Sequence, residues 1–284
     1  AEDGIRDFCL SRGLGDVYKR QLLVLLIYIP IFFMAGSAFA NNEIYITQVG
    51  TSNNFTLDIT QDGDDNVVQL SVSHDNNSID IDQEGNNNTV SWVSYWGSGQ
   101  GWGGDLDGSG NTLKFEQYNT TGTDANRIGF HINTNDNNVH ICQGKTFVDT
   151  SDTTCEASAT AEYGGHTVNI DLHSGNTDLK GSQETGTGNA DHEARIYTYG
   201  GDNNDIFFKQ KGNGDKYMQL IVRTDNGEQS VVQKGDGAHT ATIDLTGSYT
   251  TDLSLTQNSN SNQSYTLTNN CQTSSGCSVT VLQE

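Results

Sequence analysis

The sequence predicts an all-β fold, a β-solenoid of stacked strand–turn–strand units (β-arches). Three observations predict it. Apolar and polar residues alternate in short runs along most of the chain. The motif Asn-x-φ-x-φ-x-Gln, with φ apolar, recurs at intervals. Turns reading Gln-x-Gly-x-x-Asn come after several of its copies. Strict alternation marks a strand with one buried face. Strands this short cannot bury that face alone, whereas stacking each unit on the next does.

Two segments at the start are set apart from that fold. Residues 1–21 do not match the rest of the chain and read as a non-native read-through artefact. Residues 22–40 form an apolar run ending in Ala38-Phe39-Ala40. That is the pattern of a secretory signal peptide and its cleavage site. A membrane anchor is the alternative, because a run of this length just reaches across a bilayer. The repeat region is then 41–284, expected outside the cell or on its surface.

Composition narrows the function. The net charge is −22, and the first forty residues contribute equally to both signs. No basic patch exists for nucleic acid. Low hydrophobicity with high net charge ordinarily signals disorder, but the periodicity argues for order. The only proline, Pro30, lies in the apolar leader.

The motif copies are Asn42-Ile44-Ile46-Gln48, Asn77-Ile79-Ile81-Gln83, Asn111-Leu113-Phe115-Gln117, Asn137-Val139-Ile141-Gln143 and Asn204-Ile206-Phe208-Gln210. Asn53-Phe55-Leu57-Ile59-Gln61 is one dyad longer, and degraded copies end at Gln183, Gln233 and Gln257. Partner segments with the same alternation lie between them, such as Val68-Leu70-Val72 and Ile128-Phe130-Ile132. The turn glycines are Gly50, Gly63, Gly85, Gly212 and Gly235. Glycine supplies positive φ there, and the neighbouring Asn and Asp tolerate the left-handed region. The pattern amounts to about eighteen strands, hence about nine two-strand rungs, roughly 4.8 Å apart.

Inward-facing Gln and Asn need a physical reason. A lone buried amide left unpaired costs about 1–3 kcal/mol. Stacked in register, each amide donates to the carbonyl of the copy above or below, and the penalty becomes a ladder that also fixes register. Amides present only for solvation would not recur at fixed positions relative to the apolar pair.

These residues carry a family resemblance. Asn-x-φ-x-φ-x-Gln-x-Gly-x-x-Asn-x-φ-x-φ resembles the curlin repeat, the unit of bacterial curli fibres, most clearly over 42–92, where Gln61 and Gln83 stand 22 residues apart. The resemblance implies a subunit exported through a dedicated outer-membrane pore of a Gram-negative-type bacterium. It implies end-to-end self-association into a cross-β fibre of the biofilm matrix, with nucleator or accessory subunits as partners. It implies ladder roles for Gln48, Gln61, Gln83, Gln117, Gln143 and Gln210, and for Asn42, Asn77, Asn111, Asn137 and Asn204. Irregular repeat spacing and the Cys271/Cys277 pair depart from the family pattern, which puts a divergent or minor member in view.

Two inserts interrupt the repeats. The first, near 94–110, carries Tyr95, Trp96 and Trp102 on a Gly-rich loop. Exposed aromatics there would stack on matrix polysaccharide; folded back on the rod they would be packing. The second spans 144–165 and holds Cys155. In an exported chain the local pairs Cys142/Cys155 and Cys271/Cys277 are disulfide candidates, with a metal site as the alternative. The spacings fit no zinc pattern, so no metal is expected.

Acidic turns such as Asp64-Asp65 and Asp202 lack the spaced ligands of a calcium loop. Stacked acidic faces within a Debye length repel, so assembly is expected to speed up near pH 4 or with added calcium. No catalytic constellation and no cofactor motif appears. The expectation is a structural fibre subunit rather than an enzyme; the alternative is a monomeric surface module that binds polysaccharide or another surface.

Overall fold

The computed structural model describes residues 41–50, 53–91, 104–120, 124–133, 135–145, 155, 164–172, 178–184, 192–198, 204–221, 228–244, 251–268 and 277–284. Residues 1–40, Tyr95, Trp96, Trp102 and Cys271 lie outside them, as does the side chain of Cys277. Among the described residues the fold is all-β, with no helix, and its sheets are parallel.

One sheet runs through the strands Glu43–Val49, Val67–Ser73, Thr89–Val90, Gly104–Asp107, Arg127–Ile132 and Thr167–Leu172. The other runs through Thr56–Leu57 and Thr60–Asp62, Ser78–Ile79 and Asp82–Gly85, Thr112–Asn119, Asn138–Gln143, Asp178–Lys180 and Asp205–Ile206. The chain alternates between the two, so each strand pairs with the corresponding strand of the next repeat rather than with its neighbour in sequence. Isolated bridges carry the first sheet's pattern onward, Thr167 to Glu193 and Glu193 to Tyr217. Lys216–Tyr217, His239–Thr240 and Gln263–Ser264 continue it in register. Thr251–Asp252 pairs with Cys277–Ser278.

Register comes from the alternation. Val68 pairs with Val90, and Ile79 with Leu113. A slip of one residue would turn every apolar side chain to solvent. The apolar members therefore form one continuous core that includes Val68, Leu70, Ile79, Ile81, Phe115, Phe130, Val139 and Ile170. Volume is balanced between adjacent copies. Gly104 lies where a Cβ would strike the ring of Phe130, and Gly181 where one would strike Phe208 and Ile141. A large side chain takes the space its glycine neighbour leaves, which keeps the interior close-packed.

The first insert is shorter than its composition suggests. Gly104–Asp107, expected in the loop, is a strand: Leu70 pairs with Gly104 and Val72 with Leu106. Val67 and Val68 pair with Thr89 and Val90. The chain therefore leaves in the middle of one strand position and returns to complete it. Glycine content hides the return, because glycine reads as loop even where it makes room for Phe130.

Candidate functional site: the stacked polar columns

The inward glutamines close the second sheet. Gln61 Nε2 donates to Gln83 Oε1, Gln83 to Gln117 and Gln117 to Gln143, each at 2.8 Å. Further along, Gln283 donates to Gln257 at 2.5 Å, Gln257 to Gln233 at 2.6 Å, and Gln233 to Gln210 and Gln210 to Gln183 at 2.7 Å. The second amide hydrogen is used as well. Gln83 donates to Val67 O, Gln117 to Thr89 O, Gln143 to Arg127 O, Gln210 to Glu193 O and Gln233 to Tyr217 O. Each amide thus ties its copy to the next along the stack and ties one sheet to the other across it. Gln83, Gln117, Gln143, Gln210, Gln233 and Gln257 are fully buried, so these bonds replace water the amides have lost.

Donation runs toward the C-terminus from Gln61 to Gln143 and toward the N-terminus from Gln283 to Gln183. The reversal falls between Gln143 and Gln183.

Asparagines work differently from glutamines. In the second sheet, Asn77 Oδ1 accepts from the backbone N–H of Asn111, and Asn111 Oδ1 from that of Asn137. Asn77 Nδ2 donates to Gly108 O. The shorter side chain cannot reach along the stack and across it at once, so it pins backbone and turn instead. Asn137 also donates through Nδ2 to Asn111 Oδ1 at 2.9 Å. Asn53 takes its place one turn outward: its N–H donates to Asp75 Oδ1, and its carbonyl accepts from Asn76 N. Asn204 is fully buried.

Register assigns Asn42 and Gln48 to the other sheet. Gln48 stands opposite Val72, and Asn42 Oδ1 accepts from Asn66 N–H. The glutamine column therefore does not include Gln48. Sequence similarity places it there because the Asn-to-Gln spacing of the first copy equals that of the others.

The turn glycines serve for two reasons. Gly63 (φ 111°) and Gly85 (φ 89°) occupy the left-handed side of the map, and a Cβ on either would strike the next turn, at Gly85 O and Asn119 O. Gly50 has φ 84° with open space around it. Gly212 and Gly235 lie outside the left-handed region; close stacking on Gly235 and Ser259 demands glycine there. Asn54, Asp65, Asn76 and Asn87 take φ of 56–61° in the turns.

Sequence reasoning missed a second polar column, at the first inward position of the first sheet. It reads Asn42, Asn66, Asn88, Asn126, His166, His192, Lys216, His239 and Gln263 in successive copies. Backbone and side-chain bonds join its first half: Asn88 N–H to Asn66 Oδ1, Asn126 Nδ2 to Asn88 Oδ1 and His166 N–H to Asn126 Oδ1. Pairing continues it from Lys216 to His239 to Gln263. The signal is present in the sequence, where Asn66 and Asn88 read as turn residues. The change of residue type to His and Lys conceals the continuation.

Cys142 and Cys155 form a disulfide with Cα atoms 6.0 Å apart. The alternation turns Cys142 away from Val139 and Ile141, yet it is fully buried, because the returning chain at Cys155 covers it. His140 Nε2 lies 3.7 Å from Cys155 Sγ and 2.7 Å from Glu116 Oε1. With both sulfurs in the disulfide, neither is a thiolate, and the group offers a cation only the imidazole and the carboxylate. Tyr118 OH and Lys114 also bind Glu116. Burial alone would raise this carboxyl, but the bonds from His140 and Tyr118 and the charges of His140 and Lys114 hold it below the usual range.

No protein-family model matches this chain, and no curated protein or solved structure matches it.

Proposed function

We propose that residues 41–284 form a β-solenoid of about nine two-strand rungs that serves as a structural subunit of an extracellular, curli-like fibre, joined end to end with copies of itself. The observation that carries this reading is the state of the two ends. Inside the stack, Val68, Ile79 and Val90 are 0–1 % exposed; in the first described strand Ile44 and Ile46 are 49 % and 40 % exposed. Phe55, Leu57 and Ile59 after it, and Tyr265, Leu267, Val279 and Val281 following the last two strands, are only partly buried. Among the described residues, both ends thus present a parallel strand edge with its inward column open. Such an edge is a template for a further strand. A fibre of copies would bury both faces and continue the glutamine column beyond Gln61 and Gln283.

This reading implies export through a curli-type pore and nucleator or accessory subunits as partners, and it assigns the chain no catalytic role. The test is assembly of purified 41–284. Thioflavin-positive fibres with a meridional reflection near 4.8 Å are expected, and Ile46→Asp should slow elongation while leaving the monomer's circular dichroism unchanged. A chain that stays monodisperse when seeded, and instead binds polysaccharide through Tyr95, Trp96 and Trp102, would replace this reading with a surface-module one.

A further inference from the structure

The histidines divide by the face they occupy. On the outward face each described histidine has a carboxylate partner: His74 with Asp107 at 2.8 Å, His131 with Asp105 at 3.2 Å, His140 with Glu116 at 2.7 Å. The inward histidines have none. His166, His192 and His239 are fully buried in one column, with Lys216 (1 % exposed) between the last two. His166 and His192 stack with ring centroids 4.9 Å apart. Neither ring nitrogen of His166 has a hydrogen-bond partner, nor has Nδ1 of His192, among the described residues. His192 Nε2 faces Gly212 O at 2.8 Å. His239 places its nitrogens against Gln233 O and Ser259 O, and Lys216 Nζ donates to Gly214 O and Gly237 O.

A buried imidazole without a partner is tolerated only while neutral. Among the described residues no carboxylate is hydrogen-bonded to the His166–His192 pair. The charged groups that act on the column are Asp215 and Asp236, which face Lys216, and Lys216 itself, whose ammonium opposes protonation of His192 and His239. Asp124, Arg127 and Glu193 line a cavity of about 390 Å³ with His192 at the turn. Glu193 Oε1 already accepts from Arg195 Nε at 2.6 Å.

We propose that the His166–His192–Lys216–His239 column is an acid-release device: mild acid unstacks the C-terminal half of the repeat region, from about residue 166 onward, while the asparagine-columned N-terminal half stays closed. The closed His166–His192 pair has no partner for an added proton, and the opened one meets water. Burial pushes the His166 imidazole down to about 3, and burial with the neighbouring His166 and Lys216 charges pushes His192 well below its ordinary range. Because these folded values are depressed, stability falls as pH drops below the unfolded histidine value of about 6.5. Between about pH 7 and about pH 5, each such histidine shifts the opening equilibrium about 25-fold toward the open form. The first half of the column, Asn66, Asn88 and Asn126, carries no such dependence. His131, whose imidazole is raised by its bond to Asp105 against the opposing effect of burial, holds its strand more firmly in acid. The device concerns the stack of one chain and does not depend on the chain forming fibres.

The test is hydrogen–deuterium exchange with mass spectrometry on the monomeric chain at about pH 7 and about pH 5, corrected for intrinsic exchange. Expected is a loss of protection of about 25-fold or more in 166–172, 192–198 and 238–244, with 67–73 and 78–85 unchanged. The double variant His166→Asn/His192→Asn, which extends the asparagine column, should abolish the difference in 166–172 and 192–198. Equal loss in both halves, no loss in either, or a pH response of 166–172 and 192–198 that survives in the double variant would overturn the proposal. If the variant does not fold, histidine proton resonances of the unaltered chain decide. Ordinary titration of His166 and His192 with protection retained overturns it; titration that coincides with loss of protection upholds it.

Discussion

Gln83 Nε2 meets Gln117 Oε1 at 2.8 Å across 34 residues of chain, the same distance that joins Gln61 to Gln83 across 22. The whole difference falls between Ser91 and Gly104, since Val90 and Gly104 pair with the same strand, at Val68 and Leu70. Register is thus set by the inward side chains and not by the length of chain between them. Closing a longer loop adds little, because its entropy grows only with the logarithm of length. Irregular spacing therefore does not disturb the stack.

Replacing Gln117 by Leu should destabilise the fold by about 2–4 kcal/mol. It removes bonds to Gln83, Gln143 and Thr89 O and strands buried groups at about 1–3 kcal/mol each. Urea unfolding of 41–284 measures this. A change below about 0.5 kcal/mol would show that the column contributes nothing net.

Gly85→Ala should cost at least about 2 kcal/mol more than Gly50→Ala. Both glycines have positive φ, so the backbone penalty is shared. Only at Gly85 would a Cβ strike the next turn, at Asn119 O; nothing lies within 4 Å of one at Gly50. Equal unfolding midpoints for the two variants would mean that the turns do not stack closely in solution.

Glu116→Gln should weaken the fold at neutral pH and lose that effect in acid. The folded carboxyl is depressed below its ordinary value of 4.5. Its contribution is present above that value and disappears as pH falls through the folded one. The difference from the unaltered protein should shrink between about pH 7 and about pH 3. A difference of constant size would assign Glu116 a packing role only.

Cys155→Ser should cost about 3 kcal/mol in the chain-entropy account, since the bridge closes a loop with a sequence separation of 13. Reduction should lower the thermal midpoint of the unaltered chain at least as far as the substitution does. A variant as stable as the bridged protein would mean that strain offsets the constraint.

Lys216→Gln should move the acid opening of the C-terminal half to lower pH. Burial depresses His192 and His239 and the ammonium adds to it, and a glutamine stands at the same position in the last copy, as Gln263. Removing the charge lets the folded histidines rise toward their ordinary value, which reduces the proton-linked loss. Repeating the exchange measurement at stepped pH reads the shift; an opening that moves to higher pH would contradict this assignment of the charge.

Acid carries two opposed effects. The net charge of −22 predicts that titrating carboxylates near pH 4 relieves repulsion and speeds assembly. The buried histidines predict that the stack opens before that point is reached.

The all-β class and its half-buried strands are legible in the residues alone, because alternation has a period of two whatever the strand pairs with. So are the glycine and asparagine turns, since positive φ is a local demand. Which copy stacks on which emerges only from the three-dimensional pairing. Asn42 and Gln48 share the spacing of the other motif copies but lie in the other sheet, and spacing within one strand carries no information about its partner. The strand at Gly104 is hidden for a similar reason: its glycine is explained by Phe130 of the neighbouring copy, 26 residues on. The histidine column is hidden because its members, scattered from His166 to His239, become neighbours only when parallel pairing aligns them.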